Sequence, residues 1–435
     1  MEGKINVIGA GLAGVEASLQ LANRNIKVDL FEMKPHQKTP AHVMDTFAEL
    51  VCSNSLRSDS LDNAAGLLKA ELRLLESEVI KAADETRIPA GTALAVDREL
   101  FSQILTTKVL NNPYIQVHHE EVLAIPETGI TIIATGPLTS PRFHEALEKE
   151  FGEFLYFFDA VAPIIAFDSI DMEIAYFKNR YDKGEGMYLN CPLSKEQYDR
   201  FHAELVNAQC VPLKEYEMRV FEGCLPIEEM AKRGYKTLAY GPLKPMGLQR
   251  LGYPKAYAIV QLRQDNKAAS LYNLVGFQTR LTFPEQRRII RMIPGLGNAN
   301  IVRYGVMHRN TFVNAPALLR ETYQLKNRDN LFLAGQISGV EGYVESIASG
   351  LVAGINAARL FRGSDTLVFP EETMIGAQAR YLANADRENF QPMNVNFGLM
   401  RPSADIPHKK QNKALISCRS IDNLNRFIEV NLLDQ

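Results

Sequence analysis

Near the start of the chain the hydrophobic pattern changes period twice. A short apolar run, Ile5-Asn6-Val7-Ile8, has strand character, and beyond it Val15, Leu19 and Ala22 recur at helical spacing. A second apolar run at 28–31 ends at Glu32, and the break between the first run and the helix reads Gly9-Ala10-Gly11-Leu12-Ala13-Gly14. The pattern predicts a strand, a tight glycine turn, a helix and a second strand over 4–32.

A polar loop through His36 and Pro40 then leads into the irregular segment 49–57. After it, Leu67, Leu68, Leu72 and Leu75 predict one long helix running to about 83. Asp97 stands where it can cap a helix whose apolar positions are Phe101, Ile104, Leu105 and Val109. Strands are predicted at 115–118 and 130–136, the second ending in a small-residue turn at Gly136. From 161 to 300 the character changes to short β-rich runs at 257–262 and 271–277, an isolated helix at 196–206, and frequent Pro and Gly. The strand-and-helix alternation of the N-terminal part resumes with a buried strand at 331–336 and a helix over 342–360, whose Gly350 and Gly354 permit close backbone approach.

With 435 residues, 46% hydrophobic and 23% charged, the chain has the make-up of an ordinary globular protein of two or three structural units. No apolar run reaches transmembrane length, and the N-terminus enters the first strand without a cationic leader. A cytoplasmic location without membrane association is therefore expected. The five cysteines, Cys52, Cys191, Cys210, Cys224 and Cys418, never take C-x-x-C spacing, which predicts reduced thiols rather than disulfides or a metal site. The net charge of −3 hides an asymmetry: from Arg219 to Arg328, 18 Lys and Arg face 6 acids, a surplus of 12 that leaves −15 for the remainder. Such a block suits a polyanion, although a plain solvated basic surface accounts for it equally well.

The glycine turn carries the first candidate chemistry. Gly9 permits the turn, Gly11 lets backbone approach a pyrophosphate, and Gly14 lets helix and strand come close. The helix N-terminus presents N–H groups and partial positive charge to the phosphates, and Glu32 lies at the spacing of a carboxylate that accepts from a ribose hydroxyl. A dinucleotide site is predicted over Gly9, Ala10, Gly11, Leu12, Ala13, Gly14 and Glu32. The strand ending at Gly136 and the late Leu331-Phe-Leu-Ala-Gly335-Gln336 resemble the glutathione-reductase-like flavoproteins, which favours FAD over NAD. In that family the late strand ends Gly-Asp; here an amide replaces the carboxylate. The predicted fold class is α/β: a Rossmann-like FAD-binding domain of the glutathione-reductase type with a mixed α+β insertion domain. Its parts are 1–160, the insertion 161–300 as candidate polyanion-binding unit, and 301–435, which completes the parent domain and adds a tail.

Outside the nucleotide motif the chain carries long irregular strings. They are Glu49-Leu-Val-Cys-Ser-Asn-Ser-Leu-Arg57, Arg180-Tyr-Asp-Lys-Gly184, Phe221-Glu-Gly-Cys-Leu-Pro-Ile-Glu228, Gln261-Leu-Arg-Gln-Asp265, Arg303-Tyr-Gly-Val-Met-His-Arg-Asn310 and Gly339-Val-Glu-Gly-Tyr-Val-Glu345. Together they resemble the folate- and FAD-dependent tRNA (uracil-5-)-methyltransferases (TrmFO), a likeness that runs from the first strand to Met393. The resemblance implies formation of ribothymidine in the T-loop of tRNA. It further implies methylenetetrahydrofolate as carbon donor, reduced FAD as hydride source, and NAD(P)H as the reductant that restores the flavin, with no obligate protein partner.

By the same resemblance Cys224 is the nucleophile toward uracil C6, in a basic setting of Arg219, Lys232 and Arg233 that favours its thiolate. Cys52 is placed beside the flavin, where it handles protons, holds a methylene fragment or simply fills space. Arg98 is read either as a pyrophosphate contact or as a surface arginine, and Val122 as a backbone contact to adenine. Gly136, Gly335, Gln336 and Tyr343 complete the cofactor set, and His308 and Arg309 face flavin, folate or RNA if they are not structural. Arg233, Lys236, Lys244 and Arg250 are the candidate phosphate contacts. Two rival readings are a partner-dependent enzyme for wobble uridine and a non-catalytic FAD-containing RNA-binding protein.

Overall fold

The computed structural model describes residues 3–152, 154–182, 188–212, 225–250, 252–401 and 412–431. The apolar runs at the start of the chain become the centre of a five-stranded parallel sheet. Its strands are β1 (Lys4–Ile8), β2 (Lys27–Phe31), β6 (Ile115–His118), β7 (Thr131–Ile133) and β16 (Leu331–Leu333), in the order β16-β7-β1-β2-β6. Parallel strands buried on both faces need near-continuous apolar sequence, and Ile5, Val7 and Ile8 are buried accordingly. Helix α1 (Leu12–Ala22) is buried along its whole length. It lies against the helix Tyr343–Phe361 at a distance only glycine allows: a Cβ on Gly350 would stand 2.2 Å from the Ala13 carbonyl oxygen.

The long helix predicted to run to about 83 is two helices, α2 (Ala64–Leu74) and α3 (Glu78–Glu85). Glu76 takes φ 58° between them, and the Ser77 hydroxyl accepts from the Ile80 N–H to start a new helix. A capping serine outweighs the continuing leucine pattern. The buried Glu16 of α1 accepts from the Ser77 hydroxyl (2.7 Å) and the Val79 N–H (2.9 Å), which ties α1 to the start of α3.

A second sheet and a second apolar core occupy the middle of the chain. The sheet has β9 (Ile164–Ala166), β10 (Tyr176–Phe177), β11 (Leu189–Leu193), β12 (Ala258–Gln264), β13 (Leu271–Leu274) and β14 (Ile301–Arg303), in the antiparallel order β10-β11-β12-β13-β9-β14. The strand predicted at 271–277 stops at Leu274 because the chain turns at Gly276, φ 73°. A two-stranded ribbon, β8 (Leu155–Ala160) with β15 (Met307–Phe312), leads into and out of this region. A small sheet of β3 (Ser55–Ser58), β4 (Arg87–Ile88) and β5 (Ala93–Val96) stands beside helix α4 (Arg98–Leu110).

The C-terminal helix Lys413–Asn431 is docked rather than loose. Its Ser417 hydroxyl donates to the Leu61 carbonyl (2.6 Å), and its Ser420 hydroxyl donates to Glu71 (2.5 Å). Glu71 also accepts the Met374 and Ile375 N–H groups (2.7 and 2.8 Å) at the start of the helix Met374–Asn384. Burial pushes the Glu71 carboxyl up to about 7 against these hydrogen bonds. No helix among the described residues is long and apolar enough to cross a membrane.

Candidate functional site

A cleft opens at the carboxyl ends of β1, β7 and β16. Open α/β sheets place ligands at this edge. Gly9 takes φ +100° and donates its N–H to the Phe31 carbonyl (2.8 Å), which sets the turn. A Cβ on Gly14 would lie 1.8 Å from the Gly9 carbonyl oxygen, so this glycine serves packing. A Cβ on Gly11 or Gly136 would meet nothing within 4 Å; both face the open cleft. Gly11 is the N-cap of α1 and offers no side-chain cap, which leaves the first helical N–H groups for an anion. Glu32 accepts from the Ala10 N–H (2.8 Å) and the Lys34 N–H (3.0 Å) at the cleft wall. Backbone donors, a cradle that any side chain would fill, and a pinned carboxylate fit a dinucleotide.

Ala10, Leu12, Ala13, Val122, Gly335, Gln336 and Tyr343 also line the cleft. Gly335 takes φ +74°, and its N–H donates to the Ser349 hydroxyl (2.7 Å). The Gln336 amide donates to Glu341 (2.7 Å), so in this chain the amide is oriented by a neighbouring carboxylate.

Val51 reaches the same cleft, and Cys52 follows it half-buried at the rim. The loop around Cys52 is fixed from every side. The Tyr343 hydroxyl accepts from the Cys52 N–H (2.7 Å) and the Ser53 N–H (3.2 Å), and burial pushes its own pKa up. Arg98 donates to the Leu50 carbonyl (2.5 Å) and Arg303 to the Val51 carbonyl (2.8 Å). From β12, Arg263 donates to the Ser53 hydroxyl (2.6 Å) and the Asn54 amide oxygen (3.2 Å). Burial pulls Arg303 down, helped by the nearby Arg98 charge. Glu49 accepts from the Val43 and Met44 N–H groups (3.0 and 3.1 Å) and folds the preceding loop over. Downstream, Arg57 is ion-paired with Glu345, which also accepts the Val395 N–H (2.8 Å).

Arg98 does not line the cleft, and neither reading of it from sequence describes its surroundings. Its side chain is buried, and its Nη2 lies 2.9 Å from Asp265 Oδ1. Burial opposes its charge, but Asp265, with Tyr343 and Cys52 nearby, more than offsets that and raises its pKa. Cys224 lies outside the described residues, as do the side chains of His308 and Arg309. Cys191 is buried, and burial pushes its thiol up to about 12; burial also raises that of Cys210. Neither has the character of a thiolate.

Arg180 donates to the Lys244 carbonyl (3.0 Å), and the Arg250 guanidinium stands over the Tyr253 ring. Arg233 caps the end of the helix Ile227–Lys232, and Lys236 is the N-cap of the short helix Thr237–Tyr240. Sequence reasoning assigned no role to Arg180, Arg263, Asp265, Arg303 or Glu345. All five stand inside the irregular motifs, so the available sign was a charged residue in a string with neither helical nor strand period.

The family model described as Glucose inhibited division protein A matches residues 4–365. Among solved structures, GidA of Aquifex aeolicus superposes with a TM-score of 0.70 at 18% identity, over 98% of this chain and 76% of that one. That likeness concerns the fold. The methylenetetrahydrofolate–tRNA-(uracil-5-)-methyltransferase TrmFO of Bacillus subtilis (strain 168) is 57% identical over 428 residues, covering 98% of this chain and 97% of the relative. The protein of the same name in Exiguobacterium sp. is 58% identical over 417 residues, covering 95% of each. With likeness at this level across nearly its whole length, the chain belongs to the methylenetetrahydrofolate–tRNA-(uracil-5-)-methyltransferase (TrmFO) family.

Proposed function

We propose that this protein forms 5-methyluridine in the T-loop of tRNA. It takes the carbon from methylenetetrahydrofolate, uses FAD and NAD(P)H for the reduction, and acts in the cytoplasm without an obligate protein partner. One observation carries the reading: Tyr343, a wall of the dinucleotide cleft, holds the backbone of Cys52, while Arg263 of the basic middle sheet holds the next residue. A redox cofactor site, a thiol and a polyanion-attracting surface thus share one loop. Free thiols at Cys191, Cys210 and Cys418 support a reducing compartment.

Uracil C5 is a weak nucleophile until a thiolate adds at C6, which turns the ring into an enolate. In this reading Cys224 makes that C6–S bond. C5 then attacks the methylene carbon as its bond to one folate nitrogen breaks. Cys52 takes the proton that leaves C5 as the bond to the second folate nitrogen breaks, which releases tetrahydrofolate and leaves an exocyclic methylene on the ring. Hydride addition to that methylene expels the Cys224 thiolate and gives the methyl group. FAD held in the cleft would supply that hydride, with NAD(P)H as the source of its electrons. Around it, the α1 N-terminus and Glu32 bind and orient, and Val51 and Tyr343 wall the cleft beside Cys52.

The test is flavin-loaded protein incubated with methylenetetrahydrofolate, NAD(P)H and a T-arm RNA, with nucleosides read by mass spectrometry. Ribothymidine dependent on all three is expected; its absence from active, yellow protein overturns the reading.

A further inference from the structure

The outer end of the middle sheet carries an aromatic and cationic cluster whose aromatic members have no role so far. Tyr181 is 54% exposed although it sits at φ +59°, a conformation a bulky residue rarely takes. Its N–H donates to the Gly247 carbonyl (3.0 Å), and its ring covers Gly247 so closely that a Cβ there would lie 2.8 Å from a ring carbon. Tyr253 is 57% exposed and Met246 54%. The Arg250 guanidinium stands 3.8 Å over the Tyr253 ring and 5.7 Å from that of Tyr176. A backbone strained around one exposed ring, and a second exposed ring already stacked on arginine six residues beyond the glycine that the first ring covers, point to a ligand with flat faces.

The cluster is also joined to the catalytic loop. Arg180 latches the 244–247 turn through the Met246 and Lys244 carbonyls (2.5 and 3.0 Å) and reaches the Gln261 side chain of β12 (3.2 Å). Residues two apart on a strand share a face, so Gln261 and Arg263 stand side by side. Arg263 is the residue that holds Ser53. A row of contacts therefore runs from the 244–247 turn, just before Arg250, through Arg180 and Gln261 to Arg263 and the Cys52 loop.

We propose that Tyr181, Arg250 and Tyr253 form a stacking cradle for an unpaired base of the RNA that neighbours the target uridine. This rests on the tRNA reading above. A target base leaving its stack exposes its neighbour, and aromatic and guanidinium faces replace the lost stacking irrespective of base identity. Lys244 and Lys255 supply the charge that attracts the flanking phosphates.

The experiment uses full-length, flavin-loaded protein and a T-arm stem-loop carrying 2-aminopurine beside the target position. Wild type is expected to quench the probe on binding. Tyr253→Ala and Tyr181→Ala should raise Kd about tenfold or more and abolish the quench, with flavin absorbance unchanged, while Tyr253→Phe restores both. Arg250→Gln should in addition lower the salt slope by about one. Alanine variants that bind and quench like wild type overturn the cradle while leaving methylation standing. A wild type that methylates but never quenches does the same. A wild type that neither binds nor methylates the RNA overturns the function and the cradle together.

Discussion

Arg98 and Asp265 meet at 2.9 Å with side chains only 7% and 4% exposed, one at the start of α4 and the other just beyond β12. This pair fastens the parent domain to the middle sheet, and the same guanidinium holds the Leu50 carbonyl. Removing one partner leaves a buried charge unpaired, a cost of about 3–5 kcal/mol. Arg98→Ala is therefore expected to lower stability in urea by that order, and Asp265→Ala by a similar amount. If either variant unfolds at the wild-type midpoint, the fastening role is wrong.

Two glycines in one turn should fail in different ways. Gly14→Ala drives a Cβ into the Gly9 carbonyl and is expected to destabilise the fold by about 1–3 kcal/mol or more. Gly11→Val points into open cleft at an ordinary φ of −74°. It should leave far-UV circular dichroism intact and reduce flavin content about tenfold. Equal flavin retention by the Gly11 variant would show that the cradle lies elsewhere.

Tyr343→Phe deletes the oxygen that accepts from both Cys52 and Ser53. Two N–H groups then lose their acceptor, at about 1–3 kcal/mol for each that stays buried. The Cys52 loop should loosen, lowering turnover about tenfold while flavin content and fold persist. Turnover equal to wild type, measured at matched flavin loading, would refute this positioning role.

Glu71 gives the stability a pH slope. Burial raises its folded pKa from an ordinary 4.5 to about 7, so between those values the folded chain binds a proton that the unfolded chain releases. The contribution is fully present below about pH 4.5 and is lost as pH rises through about 7, a change of roughly 3 kcal/mol. Glu71→Gln removes the titration. Urea melts at a series of pH values should show wild type losing stability relative to the variant across that window. A constant difference would count against it.

The nucleotide half of the site was legible because its logic is local: Gly9, Gly11, Gly14 and Glu32 act through neighbours in sequence. The strand predicted at 115–118 is β6 for the same reason. What holds the Cys52 loop was not legible, because Tyr343 reaches Cys52 across 291 positions and Arg263 reaches Ser53 across 210. Pairwise long-range contacts leave no period for a pattern to reveal. The break at Glu76 was signalled by Ser77 but masked by the leucines around it. The tail's docking turns on one carboxylate, Glu71, which looks like a surface residue of α2 until two distant segments close over it.

Because α1 rests on Gly350 and Gly354, and β1 needs β7 and then β16 to complete its sheet, the N-terminal part of the chain is unfinished until its late part exists. During synthesis, which proceeds from the N-terminus, the glycine turn emerges long before the wall that encloses it. The coenzyme cleft is thereby the last part of the parent domain to be completed, since Gly335, Gln336 and Tyr343 of its wall come from the late part of the chain.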